Sequence, residues 1–361
     1  MHVVEYIYSI HMNRTYIILI LILFILIACV YYLNRNSTPN LLPTPKIMVE
    51  ACEKNGIPYK IMDKKHIEIG DGKTKLKFAG AVSNLNKSRP RHLAMNKRKC
   101  SSLLRELDIP VPKYQNYPGL KSEKDVERII NNLSIPYPLV VKPACGQSGV
   151  HIHVGIENES QLRKVLKSYI DLHHRKIKCD EVMVEEFVRG DNYRVLCYED
   201  RILDIIKREI PYVIGDGKTS LGDLIKEWNT YREEFELYPM KVDWEYLKKQ
   251  GIDRSTVIED GIKFTVKQIC GCCVCNYVKI DINSVHPKYL EDFKRVNKVT
   301  GLKFSGLDVI ATDLSRYPNA KINEVNSAPS MRCHYFRDEG YLDRHRDLSI
   351  AIKLLELEKS N

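Results

Sequence analysis

The amino-acid sequence predicts an α+β protein preceded by a single transmembrane helix. An uninterrupted apolar run covers residues 16–33, and 18 apolar residues are about the shortest length with which a helix spans a bilayer. Two apolar segments around a turn, at 304–313 and 320–326, read as a β-hairpin. Between the apolar run and this hairpin, short strand patterns alternate with helical ones, which indicates sheets covered by separate helices.

The segments on either side of the apolar run predict a short tail and a linker. Residues 1–15 form the tail, and residues 34–46, rich in Asn, Pro, Ser and Thr, form the linker. A cleaved secretory signal is the alternative, because Leu26–Cys29 resembles a bacterial lipoprotein cleavage site. The run continues past Cys29, however, and tyrosines and Arg35 suit a membrane interface, which favours a permanent anchor.

Length and composition predict an ordinary folded protein of two or three lobes. The chain has 361 residues, of which 44% are hydrophobic and 28% charged. Its net charge of +10 is compatible with a polyphosphate ligand, anionic lipid or nucleic acid. Because the basic residues do not interleave with aromatic ones as in a nucleic-acid-binding module, we expect no nucleic-acid partner.

The cysteine pattern predicts reduced thiols rather than a disulfide framework. The chain has 11 cysteines, an odd number, without paired spacings. Four of them lie within Cys270–Cys275. A zinc site usually needs a second, separate pair, which is missing, so buried or reduced thiols are the preferred interpretation of this cluster.

A lysine placed before a glycine-rich loop suggests a phosphate site in the first half of the chain. The strand 137–143 carries Lys142 near its end, and the loop that follows contains Gly146, Ser148 and Gly149. Backbone amides in such a loop can surround phosphate oxygens while the ammonium group supplies a positive charge. The alternative is a surface hairpin with an exposed Lys142.

Other segments complete the order of elements. Helical patterns cover 97–107 and 122–133, and the last helix is predicted at 341–358. The segment 212–220 contains Gly-Asp-Gly-Lys-Thr, but a P-loop needs glycine where Tyr212 stands, so it is not a P-loop.

The hairpin at 304–326 predicts a divalent metal site. Side chains alternate along a strand, so Glu324 and Asn326 share one face. A turn centred near Tyr317 and Pro318 places Asp308 roughly opposite Asn326. Three oxygen-bearing side chains then converge, and oxygen ligands suit Mg²⁺, which completes its shell with water and phosphate oxygens. The alternative is a solvated, acidic hairpin face.

The motifs that follow one another along the chain resemble those of the ATP-grasp superfamily, in particular the ATP-grasp domains of cyanophycin synthetases and bifunctional glutathione synthetases. The resemblance covers about Ile67 to Phe336. It rests on motifs in the same order: Asn96–Lys97, Val140–Pro143, Val184–Arg194, Ile214–Lys218, Val285–Pro287, Gly306–Asp308 and Glu324–His334. The resemblance implies an ATP-grasp fold in which two α+β lobes clasp ATP.

The resemblance also implies domain boundaries and roles for single residues. Residues 47–91 would be a small N-terminal α/β segment, 92–188 the N-terminal lobe and 189–361 the C-terminal lobe. ATP would contact Lys97, Lys142, the loop residues Gly146, Ser148 and Gly149, and Glu185, Val188 and Asn192. Mg²⁺ or Mn²⁺ would be held by Asp308, Glu324 and Asn326. Arg194 and Arg332 would neutralise the transferred phosphate or a carboxylate substrate.

The implied chemistry is ATP-dependent ligation of a carboxylate to an amine through an acylphosphate. Its partners would be small-molecule or peptide substrates and, through the N-terminal helix, a membrane; an oligomer is compatible with the sequence. Because ATP is cytosolic, we expect a single-pass membrane protein whose catalytic part faces the cytosol. Relatives carry a Ser-Thr-Gly-Gly loop where this chain has Gln268–Asn276. The alternative function is therefore an ATP-binding scaffold with altered catalysis.

Overall fold

The computed structural model describes residues 40–70, 75–144, 151–174, 181–234, 237–267, 275–340 and 343–359. The predicted transmembrane segment 16–33 and the loop residues Gly146, Ser148 and Gly149 lie outside these ranges. Within them, no helix combines the length and the apolar character needed to cross a membrane.

The helices and strands follow one another along the whole described part. The helices are α1 Pro43–Lys54, α2 Ser88–Met95, α3 Lys97–Glu106, α4 Glu123–Asn131, α5 Glu159–His174, α6 Leu221–Glu234, α7 Trp244–Lys248, α8 Pro287–Thr300, α9 Arg332–Tyr335 and α10 Ser349–Lys359. The strands are β1 Tyr59–Ile61, β2 His66–Ile69, β3 Leu76–Ala79, β4 Val82–Ser83, β5 Tyr114–Tyr117, β6 Leu139–Pro143, β7 His153–Ile156, β8 Val182–Glu186, β9 Asp191–Tyr198, β10 Arg201–Glu209, β11 Tyr212–Ile214, β12 Lys263–Thr265, β13 Asn276–Lys279, β14 Phe304–Ala311, β15 Ala320–Asn326, β16 Phe336–Gly340 and β17 Asp343–Arg346.

A small antiparallel sheet, in the order β1-β2-β3-β4, follows helix α1. Helix α1 begins at Pro43, inside the segment predicted as linker, since proline is favoured in the first turn, where its missing N–H has no helical partner. The helix buries Ile47 and Met48 against Ile67 and Phe78 of the sheet. The same buried cluster also contains residues of β9, β14 and α10, so this unit shares its core with later parts of the chain.

The sheet β5-β8-β6-β7 is antiparallel throughout and is covered by α4 and α5. Val126 and Leu162 of the two helices meet Val141 and Val184 of the strands in one buried cluster. In the antiparallel pairing of β6 and β8, Lys142 lies opposite Met183 and Glu185 lies opposite Val140. Lys142 and Glu185 are therefore diagonal neighbours on one face of the sheet.

The largest sheet has the order β13-β10-β9-β14-β15 and is also antiparallel. One of its faces is apolar and is covered by α8, whose Phe293 packs with Val195 and Leu307. The other face is apolar at one end, where Leu196 packs in the cluster under α1 and α10. At its other end this face carries charged side chains, which form the site described below.

A further unit is inserted between β10 and β13. Strands β11 and β12 form a ribbon, and Trp228 of α6 lies in the buried cluster beside it. The Gly-Asp-Gly-Lys-Thr segment is a turn in which the Asp216 carboxylate accepts hydrogen bonds from the backbone N–H groups of Lys218 and Thr219. This geometry agrees with the rejection of a P-loop there.

Two details differ from the sequence analysis. The last helix, predicted from residue 341, begins only at Ser349, because Asp343–Arg346 pairs with β16 as a strand. Cys275 is buried, which agrees with one of the two interpretations of the cysteine cluster, but it is disulfide-bonded and not a reduced thiol. The rest of the cluster, 270–274, lies outside the described residues.

Candidate functional site

Asp308 is the centre of a charged cluster on the large sheet. It lies directly opposite Arg194 of the neighbouring strand β9. The Arg194 Nε atom is 2.8 Å from Asp308 Oδ1, and the Arg208 Nη2 atom is 3.0 Å from the same oxygen. The Asn326 amide donates to Asp308 Oδ2 over 3.3 Å. Asp308 and both arginines are only 13–16% exposed, so water screens these charges weakly.

A glycine makes room for this arrangement. A Cβ atom on Gly306 would lie 2.5 Å from Arg194 Nη1 and 2.9 Å from the Pro329 Cβ atom, both closer than real contacts. The Arg194 side chain therefore passes over a position where any other residue would obstruct it. Gly306 lies two residues before Asp308, on the same face of the strand.

Glu324 continues the cluster on strand β15. The register pairs Asp308 with Glu324 and Gly306 with Asn326, with an irregularity after Asp308. The predicted pairing of Asp308 with Asn326 was therefore wrong by two positions, because the connection between the strands is centred near residue 316. The three side chains still share one face, and Asn326 still reaches Asp308 diagonally.

Lys97 connects this hairpin to the start of helix α3. Its Nζ atom is 2.9 Å from Glu324 Oε1, and its side chain is 10% exposed. The helix begins at this point because the side chain of Asn96 accepts a hydrogen bond from the Lys99 backbone N–H. The sequence pair Asn96–Lys97 thus places the lysine against the carboxylate.

Lys142 and Glu185 lie next to this hairpin on the second sheet. The Lys142 Nζ atom is 2.7 Å from Glu185 Oε2, and both side chains are 4% exposed. Lys142 also reaches Asn323 Oδ1 at 3.4 Å. Burial raises the pKa of Glu185, whereas the charges of Lys142 and Lys97 oppose this rise. The two lysines and their carboxylates therefore belong to one electrostatic network.

The oxygens of this network fit a magnesium ion. Asp308 and Glu324 supply two carboxylates on one face, and because the Asn326 amide nitrogen points to Asp308, its amide oxygen remains as a third donor. Within the described ranges, no three His, Cys, Asp or Glu side chains converge as a metal site. The remaining ligands of a bound Mg²⁺ would then be water or phosphate oxygens, as Mg²⁺ prefers.

Comparison with known proteins shows what part of this network is similar to. Residues 94–218 match the family described as "RimK-like ATP-grasp domain". This segment is therefore similar to a RimK-like ATP-grasp domain. It begins just before Lys97 and includes Lys142, Glu185 and both arginines of the Asp308 cluster.

Individual relatives extend the likeness beyond this domain. Cyanophycin synthetase of Crocosphaera subtropica is 25% identical over 319 residues, which are 85% of this chain and 36% of that protein. The bifunctional glutathione biosynthesis protein of Clostridium perfringens is 24% identical over 310 residues, 82% of this chain and 39% of that protein. The chain thus spans little more than a third of the length of these relatives.

A solved structure supports the fold. A bifunctional glutathione synthetase from Pasteurella multocida superposes with a TM-score of 0.62 at 20% sequence identity, over 88% of this chain and 44% of that one. Likeness at this level of identity establishes the α+β ATP-grasp fold. It does not identify the substrates, which have to be inferred from the chemistry of the site.

The other residues assigned from the sequence lie in several places. Val188 is half-buried in the segment after β8, and Asn192 lies on β9 opposite Arg208. Arg332 begins α9, is buried, and holds its guanidinium 4.7 Å from the centre of the Tyr238 ring. Among the described residues, Arg332 forms no ion pair with Asp308, unlike Arg194.

Sequence reasoning missed two members of the network, Arg208 and Asn323. Arg208 pairs with Asn192 across β9 and β10, so it shares the face that Arg194 occupies. The sequence contained a signal for Arg208. When the strands of the predicted hairpin 193–207 are paired in the observed register, the next residue, Arg208, lies opposite Asn192. Asn323 was missed because its position follows from the irregularity in the strand pairing, which the sequence does not reveal.

Proposed function

We propose that this chain is a membrane-anchored, ATP-dependent carboxylate–amine ligase. Mg-ATP binds between the two lobes, and the products are an amide or peptide-like bond, ADP and phosphate. The single observation that carries the proposal is the network that joins Lys97 and Glu324, Lys142 and Glu185, and Asp308 with its two arginines. Five of these seven residues lie within the segment 94–218 that matches the RimK-like ATP-grasp domain, which supports this reading.

The reaction needs positioning and charge neutralisation more than a nucleophilic side chain. A substrate carboxylate oxygen attacks the γ-phosphorus of ATP, ADP leaves, and an amine then attacks the acylphosphate carbonyl and displaces phosphate. Lys97 and Lys142 neutralise the charge of the ATP phosphates. To do so, each lysine gives up part of its contact with its carboxylate, Glu324 or Glu185, and binds a phosphate oxygen instead. Mg²⁺ on Asp308, Glu324 and Asn326 would reduce the charge repulsion between phosphates.

The two arginines are suited to bind the negatively charged groups of the reaction, which are the transferred phosphate and the substrate carboxylate. Arg194 and Arg208 approach Asp308 Oδ1 from two different strands and form ion pairs with it. A guanidinium group offers several donors, so each arginine can keep Asp308 and still bind a phosphate or carboxylate oxygen. This supports Arg194 as a residue for the transferred phosphate and adds Arg208 to that role.

Membrane attachment is a separate part of the proposal. The apolar run 16–33 is long enough for one span, and we place the ligase part on the cytosolic side, where ATP is abundant. Carbonate washing of membranes from expressing cells tests the anchor: the full chain stays in the membrane fraction, and its release into the wash contradicts this part.

Nucleotide binding by the full chain in detergent tests the site. Titration calorimetry with Mg-ATP should show binding to the wild type and to Asp313→Asn, a change in the exposed turn of the same hairpin. Asp308→Asn should weaken binding by about tenfold or more, since it removes a charged ligand. Equal affinity of the two variants would refute the assignment of Asp308.

Ligation is tested by ADP release across a panel of amino acids, dipeptides and amines. Release that depends on both an acid and an amine supports the ligase. Binding of Mg-ATP without stimulation by any pair supports the alternative, an ATP-binding scaffold, which the altered segment Gln268–Asn276 suggests.

A further inference from the structure

One buried arginine lies outside the Asp308 network. Arg332 begins helix α9 and is only 6% exposed. Its Nε atom is buried without a hydrogen-bond partner among the described residues, and no carboxylate of this part of the chain forms an ion pair with it. The described chain therefore buries the positive charge of Arg332 without supplying a counter-charge.

A buried charge of this kind is unfavourable by itself. Removing a guanidinium group from water is costly, and an ion partner or hydrogen bonds normally offset that cost. The Tyr238 ring, whose centre is 4.7 Å from the Cζ atom of Arg332, offsets part of it through a cation–π contact. This contact uses the face of the guanidinium group. The N–H groups at its edge remain available to an anion.

Arg332 lines a small pocket between three segments of the chain. The pocket lies where the first turn of α1 meets α9 and the end of β17. Two hydrogen bonds join these segments. The Met331 N–H donates to the Thr44 hydroxyl over 3.2 Å, and the Asp347 N–H donates to the Tyr335 carbonyl over 2.7 Å. The segments on both sides of Arg332 are thus held in place around the pocket.

The pocket collects positive charge. Besides Arg332, Lys46 of α1 and Arg346 of β17 line it, and none of its described lining residues is acidic. Arg346 is exposed and forms no ion pair within the described ranges. Pro43 and Pro45 in the first turn of α1 have no N–H groups, so the positive charge comes mainly from the three side chains.

The size and walls of the pocket limit its ligand. Its volume is about 20 Å³, and about 10–15 Å³ is enough to hold one water molecule. The pocket therefore admits one charged group of a ligand and is too small for a nucleotide. Ile47 and Phe336, both buried, form apolar parts of its wall, against which a carbon attached to the charged group can pack.

We propose that this pocket is a second anion-binding site, which takes the carboxylate group of an organic acid or of a peptide. A carboxylate is planar and accepts two parallel hydrogen bonds from one guanidinium group, here that of Arg332. Lys46 and the exposed Arg346 add positive charge around it. None of the described lining residues belongs to the Asp308 network, and the proposal does not rest on the ligase function.

A carboxylate bound in this pocket should stabilise the fold. The three cations lie on segments that are far apart in the sequence, at positions 46, 332 and 346, and only folding brings them together. A ligand that binds the folded chain but not the unfolded chain raises the free energy of unfolding as its concentration increases. Carboxylate binding is therefore measurable without knowledge of the natural ligand.

Thermal unfolding of the full chain in detergent, followed by circular dichroism, tests the site. Sodium acetate replaces sodium chloride stepwise, so that the ionic strength stays constant. The midpoint of unfolding should rise with the acetate concentration and reach a plateau, as binding to one site requires. A midpoint that stays the same throughout the series overturns the proposal.

Three variants locate the effect. Arg332→Met keeps a long side chain without the charge, so it should need about tenfold more acetate for the same shift. Arg346→Met should weaken the response in the same direction. Arg201→Met is the matched control, because Arg201 lies on β10 with its side chain 62% exposed, and it should respond like the wild type.

A full response to acetate in Arg332→Met places the binding elsewhere and overturns the proposal. Where this buried change prevents folding, Arg346→Met decides, because its exposed position leaves the fold intact. An unchanged response of that variant then overturns the proposal as well. Acetate binding does not involve ATP, so a failed Mg-ATP titration would refute the proposed function and leave this site standing.

Further ligands identify the chemical source of the anion. Inorganic phosphate is the first, and tighter binding of phosphate than of acetate, lost in Arg332→Met, overturns the assignment to a carboxylate. Acetyl-alanyl-alanine and its C-terminal amide are the second pair. Tighter binding of this peptide acid than of acetate, without binding of the amide, identifies a peptide terminus. Equal affinity of peptide acid and acetate identifies a small organic acid, and both results support a carboxylate site.

Discussion

Lys142 and Glu185 form an ion pair across strands β6 and β8, with 2.7 Å between Nζ and Oε2 and each side chain 4% exposed. The resemblance assigned the first residue to ATP phosphates and the second to adenine. The structure shows that they hold each other. A nucleotide that uses this lysine must therefore compete with Glu185 for its ammonium group, and the charge of Lys97 also acts on Glu185.

The first prediction separates stability from binding at this pair. Lys142→Met leaves Glu185 buried without its cation, which should lower the free energy of unfolding by about 3–5 kcal/mol. The double variant Lys142→Met with Glu185→Leu removes both charges, so its stability should return close to that of the wild type. Urea unfolding followed by circular dichroism measures both.

Nucleotide binding should not recover with stability. The double variant lacks the ammonium group for the phosphates, so calorimetry should still show weak or absent Mg-ATP binding. A double variant that is stable and binds Mg-ATP normally would remove Lys142 from the site.

The second prediction concerns the glycine under Arg194. Gly306→Ala places a methyl group 2.9 Å from the Pro329 Cβ atom, and this crowding should cost about 1–3 kcal/mol of stability. It also displaces Arg194, whose Nη1 atom is 2.5 Å from the new carbon, and so weakens Mg-ATP binding.

A double-mutant cycle shows whether the effect on binding runs through the arginine. If it does, Gly306→Ala adds no further loss of affinity to Arg194→Ala. Full additivity of the two losses would mean that the glycine affects the site by another route.

The third prediction uses two lysines on one helix. Lys97→Met removes the partner of Glu324, and the loss of a charge-assisted contact to phosphate should reduce Mg-ATP affinity about tenfold. Lys99→Met is the matched control, because Lys99 is exposed and two residues further along α3. Comparable losses in the two variants would point to a general charge effect instead of a contact at Lys97.

The hairpin could be predicted from the sequence because it consists of two apolar runs joined by a turn. Pairing the two runs buries Leu307 and Val325 opposite each other. The sequence also placed Asp308, Glu324 and Asn326 on one face correctly, since alternation along strands does not depend on exact pairing. It missed the pairing of Asp308 with Glu324, because the turn between the strands is centred near residue 316 and not near Tyr317 and Pro318.

Contacts between the two sheets were harder to predict from the sequence. Residues 142 and 323 meet only after both sheets have folded, and no local pattern connects them. The same holds for Asp204 and His334, 130 positions apart. For both pairs, the sequence shows the chemical type of each residue but does not show which residue it contacts.

The last prediction concerns the pH dependence of stability at the pair of His334 and Cys333. The pKa of His334 in the folded chain is raised to about 9, so its contribution is fully present below about pH 6.5, the pKa of a free histidine, and is lost as the pH rises towards 9. The pKa of Cys333 is lowered, so its contribution is present above about pH 8.5, the pKa of a free thiol, and is lost as the pH falls.

Between about pH 6.5 and 8.5 these two contributions change in opposite directions, so in the wild type they largely cancel. Cys333→Ser removes the contribution of the thiol and, with it, the largest charge that raises the pKa of His334, whereas the pair of His334 with Asp204 remains and still raises this pKa. The free energy of unfolding of Cys333→Ser should therefore fall as the pH rises through this range, relative to that of the wild type. Urea unfolding of both chains at pH 6, 7, 8 and 9 measures the difference, and parallel pH profiles would show that the thiol and the imidazole titrate independently.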